Sequence, residues 1–532
     1  MLRLTFHGAA LGVTGSCFVL DTGPVRVLID CGLFQGSKTE KELNYRAFPF
    51  RPESIQAVVL THAHIDHSGL LPKLVREGFQ GPIYATRATA DLCSVMLPDS
   101  GHIQEMEVEQ LNRRNARRGR AAAVEPIYTA DDAAEAQRLF KPVELGGWVA
   151  VADGVRVRFW NAGHLLGSAA IEVEAIENGQ RTRLLFSGDL GPAHKLLQSD
   201  PAGPQDVDYV VCESTYGDTD RPEVTPASRR ALLRDEVQAA RRTHGGALLI
   251  PSFAVERTQE LLVDLVALMG SGELPQAPIF IDSPLAGRAT AVFEAHAGEI
   301  ENGDAFRRAL SSRHVRFTDT VEQSKAIDRV RSFHIIIAAS GMCEAGRIRH
   351  HLKEWLWREE GTVLLVGFQA QGTLGRILQD GASRVRIQGE EIDVRARIRS
   401  LDLYSGHADA PELAAWLKAR LPIQKGVFLV HGEEPAIMAL KDRASSFLPT
   451  GRILTPRLDE SFALTPDGAQ SIETAGPSRI RPEQIGHLDW HNDLSRLLLD
   501  IGDAVRQAAD ERARRVVIRR LRRALDESGP AH

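Results

Sequence analysis

The segment THAHIDHSG, residues 61–69, constrains this chain more than any other stretch. It sets His62, His64, Asp66 and His67 within six positions, directly after the apolar run IQAVVL. A strand end followed by a tight loop can point His62 and His64 into one site and Asp66 and His67 into an adjacent one. Imidazole and carboxylate suit zinc, and two neighbouring cations need a shared anionic bridge. Two ions also need more donors than one loop supplies. His164 in AGHLLGSA and Asp189 in FSGDLG each follow an apolar run at a turn, and Asp189 is the natural bridging carboxylate. His431, closing GVFLVH, completes the second metal. Asp30 in LIDCG is expected to accept from a ligand histidine and orient it.

The rest of the chain frames that site. Asp30, His62, Asp189, Glu213, Ser252, Asp282, Ser340, Gln369 and His431 each end a short β-branched apolar run. Amphipathic helical stretches such as SGLLPKLVREGF, ERTQELLVDLVALM and PELAAWLKARL alternate with them. Such alternation argues for α/β layers, in which function gathers just beyond the strand carboxyl ends. One or two shared clefts are expected. At roughly 100–200 residues per domain, 532 residues make two to four domains. Residues 467–485, rich in Pro, Gly, Ser and Thr, read as a linker. Beyond it, DLSRLLLDIGDAVRQAADERARRVVIRRLRRAL reads as helix, with eight arginines between Arg506 and Arg523. The plain reading is a solvated face. A basic arm on RNA and a homo-oligomerisation helix are the alternatives.

Composition removes several classes. The formal charge of −6 excludes a polycation, so nucleic-acid binding must come from local positive charge, bound metal included. The five cysteines are scattered and form no CxxC pair, which argues against a disulfide framework or a cysteine zinc site and fits a reducing, cytoplasmic setting. No apolar run approaches the ~20 residues of a membrane-spanning helix. The N-terminus lacks the clean apolar block of a secretory signal.

Asp30, the His62–His67 cluster, His164 and Asp189 match four successive motifs, and Glu213 in ESTYGD, His407 in YSGHAD and His431 match further ones. On these residues the chain resembles the metallo-β-lactamase superfamily, and within it the β-CASP branch of nucleic-acid nucleases. It is similar to the bacterial and archaeal ribonucleases related to the metallo subunit of the cleavage and polyadenylation machinery. PSFAVERTQE, IDSPLA, ASGMCEAGRIRHHL and VGFQAQGTLGR resemble the inserted β-CASP domain, and the likeness runs over roughly residues 1–465. One departure is Glu256, beside Arg257, where the family often has Gly. The resemblance implies an α/β fold: an αββα sandwich from residues 1–208 and 402–466, an α/β β-CASP domain inserted over 209–401, and a linker and helical C-terminal extension over 467–532 that inherits nothing.

It also implies two Zn2+ ions and a bridging water that becomes hydroxide near neutral pH and attacks phosphorus in line. His407 is then the acid for the leaving oxygen, or a stabiliser of the pentavalent phosphate, with Glu213 holding its ring. Asp66, His407, Glu213 and Asp30 form the expected catalytic set. Ser405, Arg257, Ser340, Arg347 and Arg376 are the expected substrate contacts, with Arg349 beside them. The inserted domain would leave a slot that suits single-stranded RNA better than a duplex. Other hydrolases on the same fold are the rivals. A small-molecule hydrolase has no need of the roughly 190 residues between Glu213 and His407, and the DNA-directed branch usually lacks a histidine at the position of His431. A catalytically dead scaffold of an RNA-processing complex would have lost metal ligands, and this chain has lost none. Endonuclease versus 5′-exonuclease mode stays open.

Overall fold

The computed structural model describes residues 2–119, 124–177, 179–222, 225–241, 245–367, 369, 372–472, 479, 497, 501, 504–505 and 509–527. Two mixed sheets face one another. The first runs, edge to edge, through Gly468–Ile472, Ser461–Thr465, Arg3–Phe6, Phe18–Asp21, Arg26–Ile29, Ala57–Val59, Ile83–Thr86 and Phe140–Val143. Its first five strands pair antiparallel, and from Arg26–Ile29 onward the pairing is parallel. The second orders Ile453–Leu454, Ile423–Val430, Val207–Glu213, Gln180–Phe186, Ala169–Glu177, Val155–Asn161 and Trp148–Ala152.

Strand alternation explains the layering. Phe6, Phe18, Ile29 and Val59 of the first sheet pack against Phe159, Ile171, Phe186, Val211 and Phe428 of the second in one buried core. Residues of the opposite parity face outward under helices. Leu28, Val58 and Ile83 meet Leu71 and Leu74 of helix Leu71–Arg76. Leu185, Val210, Val427 and Leu429 meet Leu413 and Leu417 of helix Ala410–Lys418. Helix, sheet, sheet and helix therefore stack as an αββα sandwich.

A third sheet is wholly parallel, in the order Val315–Phe317, Ile279–Ile281, His334–Ala338, Ala247–Pro251, Gly361–Leu365 and Arg397–Ser400. It lies in the chain between Val207–Glu213 and Ile423–Val430, which are themselves neighbours in the second sheet, paired parallel. The insertion thus leaves and re-enters the sandwich at adjacent strands, so Glu213 and His431 end up side by side.

Two of the expected boundaries cut through paired strands. A division at 208/209 falls inside Val207–Glu213, because the run DYVVCE pairs with Gln180–Phe186 on one side and Ile423–Val430 on the other. A division at 466/467 separates two strands of a hairpin, since Gly468–Ile472 pairs antiparallel with Ser461–Thr465. Most of the expected linker and Arg506 lie outside the described residues. In the extension, helix Glu511–Glu527 carries Arg512, Arg514, Arg515, Arg519, Arg520, Arg522 and Arg523, all exposed. Among the described residues no helix is long and apolar enough to cross a membrane.

Candidate metal centre

His62, His64, Asp66 and His67 follow strand Ala57–Val59, the last two on the single turn Ile65–Ser68. Asp30, His164, Asp189 and His431 arrive on the ends of, or turns after, four other strands. Two donor groups result. His62, His64, His164 and Asp189 form one, and Asp66, His67 and His431 the other. Asp189 spans them. Its Oδ2 lies 3.5 Å from His62 Nε2 and 3.6 Å from His164 Nε2, and its Oδ1 lies 3.2 Å from His67 Nε2.

Hydrogen bonds around the rings decide where their lone pairs point. Asp30 Oδ2 accepts from His67 Nδ1 at 2.7 Å and from Thr61 Oγ1 at 2.9 Å. With its hydrogen spent on Asp30, Thr61 Oγ1 can only accept from His62 Nδ1, at 3.0 Å. Thr215 Oγ1 likewise donates to the His431 carbonyl, so it accepts from His431 Nδ1 at 3.1 Å. His164 Nδ1 donates to the Gly406 carbonyl at 2.7 Å. Four rings therefore carry a proton on Nδ1 and turn Nε2 inward. His64 faces the same centre with Nδ1, 3.0 Å from His164 Nε2, and His67 and His431 bring their Nε2 atoms to 3.2 Å.

Ring nitrogens facing one another this closely in a buried site need a proton or a metal cation between them. Two nitrogens bound at about 2.0–2.1 Å to one tetrahedral ion stand about 3.4 Å apart, close to both spacings. His62 Nε2 and Asp189 Oδ1 are buried without any hydrogen-bond partner, a further mark of unfilled coordination. The donor set fits a pair of zinc-like ions.

The electrostatics agree. Burial, then the neighbouring His62, holds His64 down to about 3, and burial also lowers His62 and His164, which keeps these rings neutral. Burial opposes ionisation of Asp189 and Asp66, but His431 and His67 outweigh it and hold both carboxyls below the usual range. The carboxylates and the His62, His64 and His164 rings stand in the protonation states a metal requires. Burial would also lower His67 and His431, but Asp189 and Asp30 raise the first, and Asp189 and Asp66 the second. A metal entering between these two rings therefore displaces a proton.

His407 sits at the rim. Its Nδ1 donates to Glu213 Oε1 at 3.2 Å and lies 3.9 Å from Asp189 Oδ2. Asp189, Glu213 and His407 make a third cluster of possible donors. Glu213, however, already accepts from the backbone N–H groups of Leu190 at 2.6 Å and Thr215 at 3.2 Å, which ties it to the protein. Ser405 Oγ accepts from the His407 N–H at 3.3 Å within the Ser-Gly-His turn.

The arginines are less free than the sequence suggests. Arg257 is buried, donates from Nε to the Tyr404 carbonyl at 2.8 Å and lies over Phe253. Arg347 donates to Asp282 Oδ1 at 2.7 Å and to the carbonyls of Thr318 and Asp319. Arg376 donates to Asp380 at 2.8 Å, and Arg349 to the Glu344 carbonyl. Ser340 lies in the loop after His334–Ala338, where its Oγ accepts from the Ala345 N–H. Sequence reasoning missed Thr61, Thr215 and the Gly406 carbonyl, which set the tautomers. Thr61 adjoins the histidine cluster and was findable there. A hydroxyl 216 positions from its partner and a main-chain carbonyl carry no sequence signal.

Comparison with known proteins places this site in a family. Family models match for the metallo-beta-lactamase superfamily over residues 11–242, the Beta-Casp domain over 258–378, and the Zn-dependent metallo-hydrolase RNA specificity domain over 391–456. The chain is 38% identical over 450 residues to Ribonuclease TTHA0252 of Thermus thermophilus, covering 82% of this chain and 95% of that protein. It is 30% identical over 459 residues to Transcription termination factor FttA of Methanocaldococcus jannaschii, covering 83% of this chain and 68% of that one. An RNase J-like protein of the same archaeon is 28% identical, covering 81% of this chain and 93% of its own. With these matches over the αββα sandwich, its insertion and its histidine-rich centre, the chain belongs to the β-CASP branch of the metallo-β-lactamase superfamily and is a metal-dependent hydrolase.

Proposed function

We propose that this protein is a zinc-dependent ribonuclease that hydrolyses phosphodiester bonds in single-stranded RNA. The observation that carries the reading is the convergence of two donor groups on the two oxygens of Asp189, with four histidines locked as Nδ1–H tautomers. The family match supports a hydrolase, and the RNA specificity domain and the ribonuclease-named relative support RNA as its substrate.

His62, His64 and His164 would hold one ion, Asp66, His67 and His431 the other, and Asp189 would bridge them. Bound there, two zinc ions supply a water of lowered pKa and positive charge against the phosphate oxygens. The remaining work belongs to the chain. Asp30 keeps His67 in its ligating tautomer, as the Gly406 carbonyl does for His164. Glu213 fixes His407 through Nδ1 and leaves its Nε2 to protonate the leaving oxygen. Ser405 and the N–H groups of its turn can receive a non-bridging phosphate oxygen. Ser340, in the loop after His334–Ala338, and Arg376, on helix Leu374–Gln379 beside Asp380, would contact the RNA backbone. Arg347 and Arg257 act by holding those loops, since their guanidinium groups are engaged within the protein.

The test is incubation of metal-replete protein with 5′- and 3′-labelled RNA and matched DNA. Cleavage of RNA, with DNA spared, supports the reading. Cleavage of DNA alone, or of neither, refutes it.

A further inference from the structure

Glu256 holds a backbone shape that its residue type does not favour. Its φ is 70° and its ψ −63°, and the Arg257 N–H bonds back to the Val255 carbonyl at 2.9 Å. This is a γ-turn of the rare, strained hand, a shape glycine adopts far more readily. Such strain persists only where the surroundings impose it, and here the side chain shows why. The carboxylate leaves the inserted domain and enters the metal centre's own loops. Oε2 accepts from the Leu166 N–H at 3.0 Å and from Gln198 Nε2 at 3.1 Å, and Oε1 lies 3.3 Å from Lys195 Nζ. Lys195 in turn donates to the carbonyl of His164.

The loop's bonds show what this contact does. The N–H groups of His164 and Leu165 both donate to Ser168 Oγ, and the Ser168 N–H returns to the Leu165 carbonyl. The Leu166 N–H and the His164 carbonyl are served from outside the turn, by Glu256 and Lys195. The next residue holds the opposite side. Arg257 Nε donates to the Tyr404 carbonyl at 2.8 Å, directly before Ser405, Gly406 and His407. His164 Nδ1 donates to Gly406 and closes the circuit.

We propose that Glu256 and Arg257, at the start of helix Arg257–Gly270, form a two-pronged strap by which the inserted domain fixes the spacing between the metal-site loop of His164 and the turn of His407. Both are positioning residues. Glu256 acts on the metal through Leu166 and Lys195, and Arg257 acts on the proton donor through Tyr404. Seating of the insertion and completion of the catalytic centre are then one event.

The proposal rests on the metal reading above, and the experiment separates the two. Zinc release to a chelating dye is followed for wild type, Glu256→Gly, Glu256→Gln and Arg257→Met, with thermal unfolding of each. Glycine relieves the turn, so Glu256→Gly should unfold within a few degrees of wild type. It should nonetheless release one zinc about 10–100-fold faster, the range for losing a partner behind a ligand. Glu256→Gln keeps an oxygen for the Leu166 N–H and should recover much of that loss. Arg257→Met should hold both ions and bind RNA as wild type does, yet cleave it at least ten times more slowly in single turnover. Zinc release from Glu256→Gly at the wild-type rate overturns the strap, as does a Glu256→Gln protein no better than glycine. A drop in melting temperature with unchanged zinc release overturns it too, by reducing Glu256 to a packing role. A wild type that takes up no zinc refutes the metal reading, and the strap falls with it.

Discussion

Asp30→Asn is a change of one atom with a calculable effect on one metal site. Asp30 lies in the left-handed region at φ 58°, which asparagine tolerates, so the backbone has no reason to move. Its carboxylate accepts from the Thr61 N–H at 2.8 Å, Thr61 Oγ1 at 2.9 Å and His67 Nδ1 at 2.7 Å. An amide offers one oxygen. With that oxygen on the Thr61 N–H, the NH2 faces His67 Nδ1, and two donors meet. The ring relieves the clash by moving its proton to Nε2, which then occupies the lone pair meant for the metal, 3.2 Å from Asp189 Oδ1. Losing one hydrogen bond to a charged group costs about 1.5–3 kcal/mol. At about 1.36 kcal/mol per decade, the ion shared by Asp66, His67 and His431 binds about 10–150-fold more weakly. The His62–His64–His164 ion feels the change less directly, through Asp189 and through Thr61 Oγ1, which loses Asp30 Oδ2 as the acceptor of its hydrogen. Zinc titration of the metal-free protein against a chelating dye should therefore resolve two unequal sites, with the ion of His67 the more weakened. Weakening of neither ion, or greater weakening of the His62–His64–His164 ion, would refute the tautomer argument.

Three further outcomes follow from the geometry. His407→Ala should keep both zinc ions and RNA binding while single-turnover cleavage falls by ~10²–10⁴, with partial rescue by a substrate carrying a better leaving group. Loss of zinc in that variant would make His407 a ligand. Asp282→Ala should destabilise the protein by about 3–5 kcal/mol in chemical unfolding, because it strands Arg347 and His351, which approach Asp282 at 2.7 and 2.6 Å, beside Ser324. Burial opposes the Asp282 charge, but hydrogen bonds from His351, Ser324, Thr318 and Arg347 win and depress its pKa. A depressed carboxyl pKa contributes stability above the ordinary carboxylate range and loses it as pH falls below that range. Asp282→Asn should therefore lose less stability than wild type between about pH 4 and pH 2, measured by thermal unfolding across pH.

The residues of the two donor groups were legible because each stands at or just after the place where a strand stops, and a strand's carboxyl end is one of the few places a sequence fixes in space. The cluster at 62–67 marked the centre, and His164, Asp189 and His431 followed from the same strand-end rule. The parallel strands of the insertion likewise put Ser252, Asp282, Ser340 and Gln369 at one end of their sheet. The rest depended on choices that no local pattern encodes. DYVVCE is as apolar as a strand of either domain, so only its pairing reveals that it belongs to the sandwich. TPDG reads equally as a linker's start or a hairpin turn, and the strands on either side decide. An arginine after a strand end can reach out to phosphate or turn back to a carbonyl. Arg257 and Arg347 turn back, because Tyr404 and Asp282 are waiting there. Glu256 could be seen to differ from its family, but not that its carboxylate crosses into the His164 loop.

On the proposed mechanism, hydrolysis of RNA needs both ions, and Asp189 joins them. Metal-free protein titrated with zinc while single-turnover cleavage of 5′-labelled single-stranded RNA is followed, beside Asp189→Ala with its metal content, tests it most directly. Wild-type cleavage should rise only as a second zinc per chain binds, and Asp189→Ala should retain neither ion firmly and should not cleave. Full activity at one zinc per chain, or an Asp189→Ala protein with wild-type metal content, would contradict it.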